Sequence, residues 1–122
     1  MEIISRLAEA DPDNAGWQRD LSVSHNKIGD VRVEQGDLSG ALESYRASMA
    51  IRERLAEADP NNAGWQRDYA VNLSKLAGIP DSGVGWSEVA DAWGRMEARG
   101  ILAPVDQHYV EEARRLADGE GE

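Results

Sequence analysis

A chain of 122 residues, 41% of them apolar, is long enough for one domain with a modest core. Its 23 acids against 13 bases leave a net charge of −10, which repels nucleic-acid phosphates and anionic membranes. It has no cysteine, which excludes disulfides, thiolate metal sites and a thiol nucleophile, and no apolar run near the roughly 18 residues of a membrane span.

Taken in order, residues 1–10 place Ile3, Ile4 and Leu7 on one stripe of an amphipathic helix. Asp11-Pro12 ends it, because proline disfavours the helical conformation in the residue before it. Glu2, Arg6 and Glu9 also interrupt any apolar core of a signal peptide, so a cytoplasmic protein is expected. Asp13 or Asn14 is placed to cap a helix over 15–35, with Trp17, Leu21, Ser24, Ile28 and Val31 as its core stripe. Gly36 stops that helix and Asp37 caps the next, over 38–58, so the two form an antiparallel hairpin. Leu38, Ala41, Leu42, Tyr45, Met49, Ile51 and Leu55 are its expected buried side.

Asp59-Pro60 then ends this helix as Asp11-Pro12 ended the first, and Asn61 or Asn62 caps a helix over 63–77. A glycine-rich stretch, 78–85, follows. The spacing next predicts a helix to about Arg99 with Trp86, Val89, Trp93 and Met96 on one side. Gly100 stops it, and Pro104 opens a last helix with Val105, Tyr109, Ala113 and Leu116 inward. No segment alternates with period two, so the fold class is all-α.

Two of these joints are the same sequence. Residues 7–20 read LAEADPDNAGWQRD and residues 55–68 read LAEADPNNAGWQRD, an offset of 48. Met1, Ile3, Arg6, Val23 and Lys27 recur as Met49, Ile51, Arg54, Val71 and Lys75. Duplicated Gln18-Arg19-Asp20 and Gln66-Arg67-Asp68 are read as structural pairing groups, for instance with an acid of an Asp-Pro loop. Trp17 and Trp65 are read as core. The duplication organises residues 1–118 as one helical-repeat domain: a half-repeat 1–12, a full repeat 13–60, a partial repeat 61–78 and a terminal hairpin 83–118. Residues 119–122 are an expected disordered tail.

The hairpin around Gly36 resembles a tetratricopeptide repeat. Ile28-Gly29 stands for Leu-Gly, Gly36-Asp37 is the turn, and Ala41-x3-Tyr45 stands for Ala-x3-Phe. Gly29 and Ala41 are small enough to let two helix backbones approach. His25 and Arg32 replace the pattern's Trp and Tyr, Pro60 comes late, and the period of 48 exceeds the family's 34 or so. About seven extra residues per helix, nearly two turns, would keep each apolar stripe on its own side. The resemblance therefore implies a long-helix variant, stacked as a short solenoid with a divergent C-terminal hairpin as cap.

In that family the first helix of each hairpin lines a concave groove for a peptide or helix. By position this face carries Val23, Asn26, Lys27, Asp30, Val33 and Glu34, then Asn72, Ser74 and Lys75. The implied function is a noncatalytic protein–protein interaction scaffold whose partner is another protein or peptide. The alternative is homo-oligomerisation, a homodimer through Ile3, Ile4 and Leu7 of the half-repeat. No catalytic constellation stands out. His108 with Glu111 or Glu112 has metal-ligand spacing, but one acidic helix face produces this by chance, so neither a metal nor a cofactor is expected. Glycines 78, 83 and 85 precede no Gly-Lys-Ser or Gly-Lys-Thr and follow no strand, so they make no phosphate loop. Nucleic acid is disfavoured as a partner of residues 86–118, where acids outnumber bases.

Overall fold

The computed structural model describes residues 2–120, with side chains described for 3–119. Among the described residues all regular structure is helical: α1 (Glu2–Ala10), α2 (Ala15–Glu34), α3 (Leu38–Ala58), α4 (Ala63–Ala77), α5 (Trp86–Ala98), a 3₁₀ turn (Pro104–Asp106) and α6 (Gln107–Glu120). None of these helices is long and apolar enough to cross a membrane.

The duplicated sequence folds the same way twice. Asn14 and Asn62 are the caps: each side-chain oxygen accepts from the backbone N–H three residues on, Trp17 or Trp65, at 3.0 Å. Gln18 donates to the Ala8 carbonyl at 3.1 Å and Gln66 to the Ala56 carbonyl at 2.8 Å. Those carbonyls belong to the last turn of the preceding helix and have no partner within it. One residue type thus ties each helix start to the helix end before it.

The chain divides into two compact units, Met1–Leu55 and Ala56–Glu122. Repeats contact chiefly their neighbours, so contacts concentrate locally along the chain. The predicted half-repeat begins at Met1, which lies outside the described residues. At the other end α6 runs through Gly119 to Glu120, two residues into the stretch expected to be disordered; residues 121–122 lie outside the described residues.

In the first unit, α2 and α3 form the expected hairpin. Gly36 has φ +78°, Asp37 N–H bonds to the Arg32 carbonyl at 2.8 Å and Gly36 N–H to Val33 at 3.0 Å. This paired closure satisfies the helix's last carbonyls and needs a left-handed residue at Gly36. Asp37 then caps α3 by accepting from Gly40 N–H at 2.9 Å. Across the hairpin a Cβ on Gly29 would lie 2.5 Å from the Tyr45 ring, so the close approach is real. Tyr45 donates its hydroxyl to Asp30 at 2.5 Å. Arg32 reaches the Gly40 carbonyl at 2.9 Å and Ser44 at 3.0 Å.

The core stripe of α2 differs from the expected one. The buried positions are Gln18, Ser22, Asn26 and Gly29. Trp17, Leu21, Ser24 and Ile28 are only half-buried and Val31 is 51% exposed. Gln18, Ser22 and Gly29 lie one residue, about 100°, beyond Trp17, Leu21 and Ile28, where Gln18 reaches the Ala8 carbonyl, Ser22 accepts from Arg52 and Gly29 admits the Tyr45 ring. Leu38, at the first position of α3, is also exposed rather than buried.

In the second unit, α4 packs on α5 and α5 on α6. Ala70, Leu73, Leu76, Val89, Ala92, Trp93, Met96, Val110 and Ala113 make the core. Gly100, with φ +72°, closes α5 as Gly36 closes α2. Val105 is 77% exposed instead of inward-facing: it lies in the 3₁₀ turn, whose buried residue is Asp106.

Candidate functional site

The second unit contains a cleft of about 250 Å³ where α4, α5 and α6 meet. Helix α4 contributes Val71, Ser74 and Lys75; α5 contributes Trp86, Val89 and Trp93; α6 contributes Tyr109, Glu112 and Ala113. The spacings are three and four on α4 and α6, and three, four and seven on α5, which bring each set to one face. Most of the wall is apolar or aromatic, with one ammonium and one carboxylate among the lining groups.

Several contacts hold this wall in place. Trp93 and Tyr109 stack with ring centroids 5.2 Å apart and planes 16° from parallel. Tyr109 also meets His108 at 3.9 Å. The Arg67 guanidinium grips Asp106 through two bonds, 2.9 and 3.3 Å, tying α4 to the turn that starts α6. Asp106 is buried, so the pair fixes this end of α6. The duplicated arginine was expected to pair with an Asp-Pro loop acid; in the second copy its partner is Asp106 of the terminal hairpin instead. At the surface Glu97 accepts from Gln107 at 2.9 Å and Arg114 at 3.1 Å, and these bonds hold its carboxyl below the usual range.

Of the residues expected to line a groove, Ser74 and Lys75 do line this cleft, and the Ser74 hydroxyl donates back to the Ala70 carbonyl at 3.1 Å. Asn72 is fully buried and Asn26 buried, so neither presents a surface to a partner. The Asn26 side-chain oxygen has no hydrogen-bond partner among the described residues. Val23 is half-buried. Lys27, Asp30, Val33 and Glu34 are exposed, but Asp30 is engaged by Tyr45. Lys27 borders a shallow hollow with Ile28, Val31, Arg32 and Gln35, a different set from the expected face. The imidazole of His25, on the same helix, is pushed below its usual value by burial.

Trp86 and Trp93 were expected on one side of their helix and Tyr109 inward, but not to form a site; Trp93 is buried, whereas Tyr109 is 38% exposed. Three aromatics clustered outside the duplicated segment were the available signal; that they meet α4 depends on packing. Among the described residues no group of three or more histidine or carboxylate side chains converges to hold a metal ion. Ile3 of α1 is 73% exposed, while Ile4 and Leu7 are half-buried.

No family model, no curated protein and no solved structure matches this chain.

Proposed function

We propose that this chain is a noncatalytic interaction module of the tetratricopeptide class, a short stack of long helical hairpins. In this reading it binds another protein by seating one large apolar side chain, carried on a peptide or helix, in the cleft between α4, α5 and α6. The observation that carries the reading is the aromatic wall of Trp86, Trp93 and Tyr109 opposite Ser74 and Lys75. Its volume of about 250 Å³ is suited to a single bulky side chain rather than to an extended cofactor. Aromatic pockets with a few polar groups at the margin are where binding energy concentrates in protein interfaces. The net charge of −10 argues against a nucleic-acid partner, and the absence of cysteine suits a reducing, cytoplasmic setting.

The test is affinity capture on immobilised chain, comparing the natural sequence with Lys75→Glu, Tyr109→Ala and Lys27→Glu. Bound proteins should fall about tenfold or more with Tyr109→Ala, the loss expected of an aromatic anchor. Lys75→Glu should weaken capture and Lys27→Glu should leave it unchanged. Capture that survives both cleft substitutions would place the interaction elsewhere.

A further inference from the structure

The wall of the cleft contains a buried donor without an acceptor. Trp93 is 1% exposed, and its indole Nε1 has no hydrogen-bond partner among the described residues. A buried tryptophan usually sets this N–H against an acceptor, because burial otherwise strips the donor of water with no return. Ser74, in the same wall, has the opposite property. Its hydroxyl hydrogen is committed to the Ala70 carbonyl at 3.1 Å, so its oxygen is left only with lone pairs to offer. The ring stacked on Trp93 is held less firmly than Trp93 itself. Tyr109 is 38% exposed and meets Trp93 and His108 through ring contacts. No hydrogen bond among the described residues engages its hydroxyl, whereas the Tyr45 hydroxyl is tethered to Asp30.

We infer that the side chain seated in the cleft is a phenol, carried by a tyrosine of the partner. As it enters, the Tyr109 ring turns off Trp93 and packs along the side of the incoming ring. The incoming hydroxyl accepts from Trp93 Nε1 and donates to Ser74 Oγ. This rests on the cleft reading above and specifies the occupant.

The hydrogen-bond inventory selects the hydroxyl. Phenylalanine, leucine and isoleucine fill an apolar space but leave both Trp93 and Ser74 unmet. A lysine ammonium only donates, so Trp93 stays unpaired. A carboxylate only accepts, which gives Ser74 nothing, and it would enter a wall that already holds the Glu112 carboxylate. A hydroxyl at the tip of an aromatic ring accepts, donates and presents an apolar body to Val71, Val89 and Tyr109.

The probes are p-cresol and toluene, the side chains of tyrosine and phenylalanine without a backbone, titrated into the isotope-labelled chain and followed by NMR. The methyl signals of Val71 and Val89 report occupancy of the cleft by either probe. A cleft that offers no hydrogen bonds prefers toluene, because the cresol hydroxyl would leave water unpaired. The expected order is the reverse. p-Cresol should bind about fivefold or more tightly than toluene. It should also move the Trp93 indole N–H signal downfield, and toluene should not. In Trp93→Phe, with folding checked by a circular-dichroism melt, the preference should turn to toluene. If that variant does not fold, the indole signal of the natural chain decides. Toluene binding as tightly as p-cresol, or an indole signal unmoved by saturating p-cresol, would overturn the inference; the cleft reading then stands, because the methyl signals still move. A preference for p-cresol that persists in folded Trp93→Phe would overturn it too. If neither probe moves the Val71 and Val89 methyl signals, the cleft is not a binding site and both readings fail.

Discussion

Gly29 and Tyr45 carry more of the first unit's specificity than their neighbours. A glycine inside a helix ordinarily costs about 1 kcal/mol relative to alanine. Here a Cβ would sit 2.5 Å from the Tyr45 ring, and that ring is buried and tethered by its hydroxyl to Asp30. Gly29→Ala should therefore destabilise by about 1–3 kcal/mol despite its better propensity, as overpacking does. At Gly94 the nearest atom to a Cβ is the end of Arg114, 3.8 Å away, so Gly94→Ala should stabilise. The gain should be about 0.5–1 kcal/mol. Urea denaturation of the two variants checks the opposite signs. The Tyr45 phenol is raised well above its usual value of 10.0, first by burial and then by the bond and charge of Asp30. Its folded value lies above its unfolded value, so its contribution is complete below pH 10.0 and is lost as pH rises towards the folded value. Stability should decline on the alkaline side, and Tyr45→Phe should decline less. Equal slopes for the two proteins, measured by denaturant titration from pH 9 upward, would refute this role.

At the scale of elements, the position of α6 beside α4 depends on Arg67 and Asp106. Removing one member of a pair whose other member is buried leaves an uncompensated charge. Arg67 is itself about half exposed, which softens the effect, so Arg67→Ala should cost about 2 kcal/mol. Arg67→Lys keeps the charge but not the two-pronged geometry and should recover only part of the loss. Thermal melts of the two variants distinguish them. The helices themselves were legible in advance: proline, asparagine and glycine punctuation placed nearly every boundary of α1 to α5 within a residue or two. The facing of α2 was not. Its apolar periodicity pointed to Trp17, Leu21, Ile28 and Val31, whereas the buried positions are Gln18, Ser22, Asn26 and Gly29. Periodicity measures where hydrophobic area lies; burial on this helix also follows hydrogen-bond partners, Ala8 for Gln18 and Arg52 for Ser22, and one close approach, Tyr45 over Gly29.

At the scale of the whole chain, a charge of −10 on 122 residues is self-repelling. Raising salt from about 10 to 150 mM shortens the screening length to about 8 Å. The melting temperature should then rise by a few degrees, about 2–5 °C. A fall over this range in circular-dichroism melts would mean that attractive ion pairs such as Arg67–Asp106 outweigh the repulsion.

The sequence by itself determined the all-helical class, the helix boundaries and the repeated joint. These depend on local chemistry: a cap oxygen three residues from its N–H, a proline that ends a helix, a glycine that accepts positive φ. Tertiary structure alone decided which of the candidate face residues are accessible. It buried Asn26 and Asn72, brought Ser74 and Lys75 to the aromatic cleft, and left Ile3 open while covering Ile51. The same residue type at the same repeat position, Ile3 and Ile51, carries no record of what lies across from it, because burial is a property of the neighbours and not of the residue.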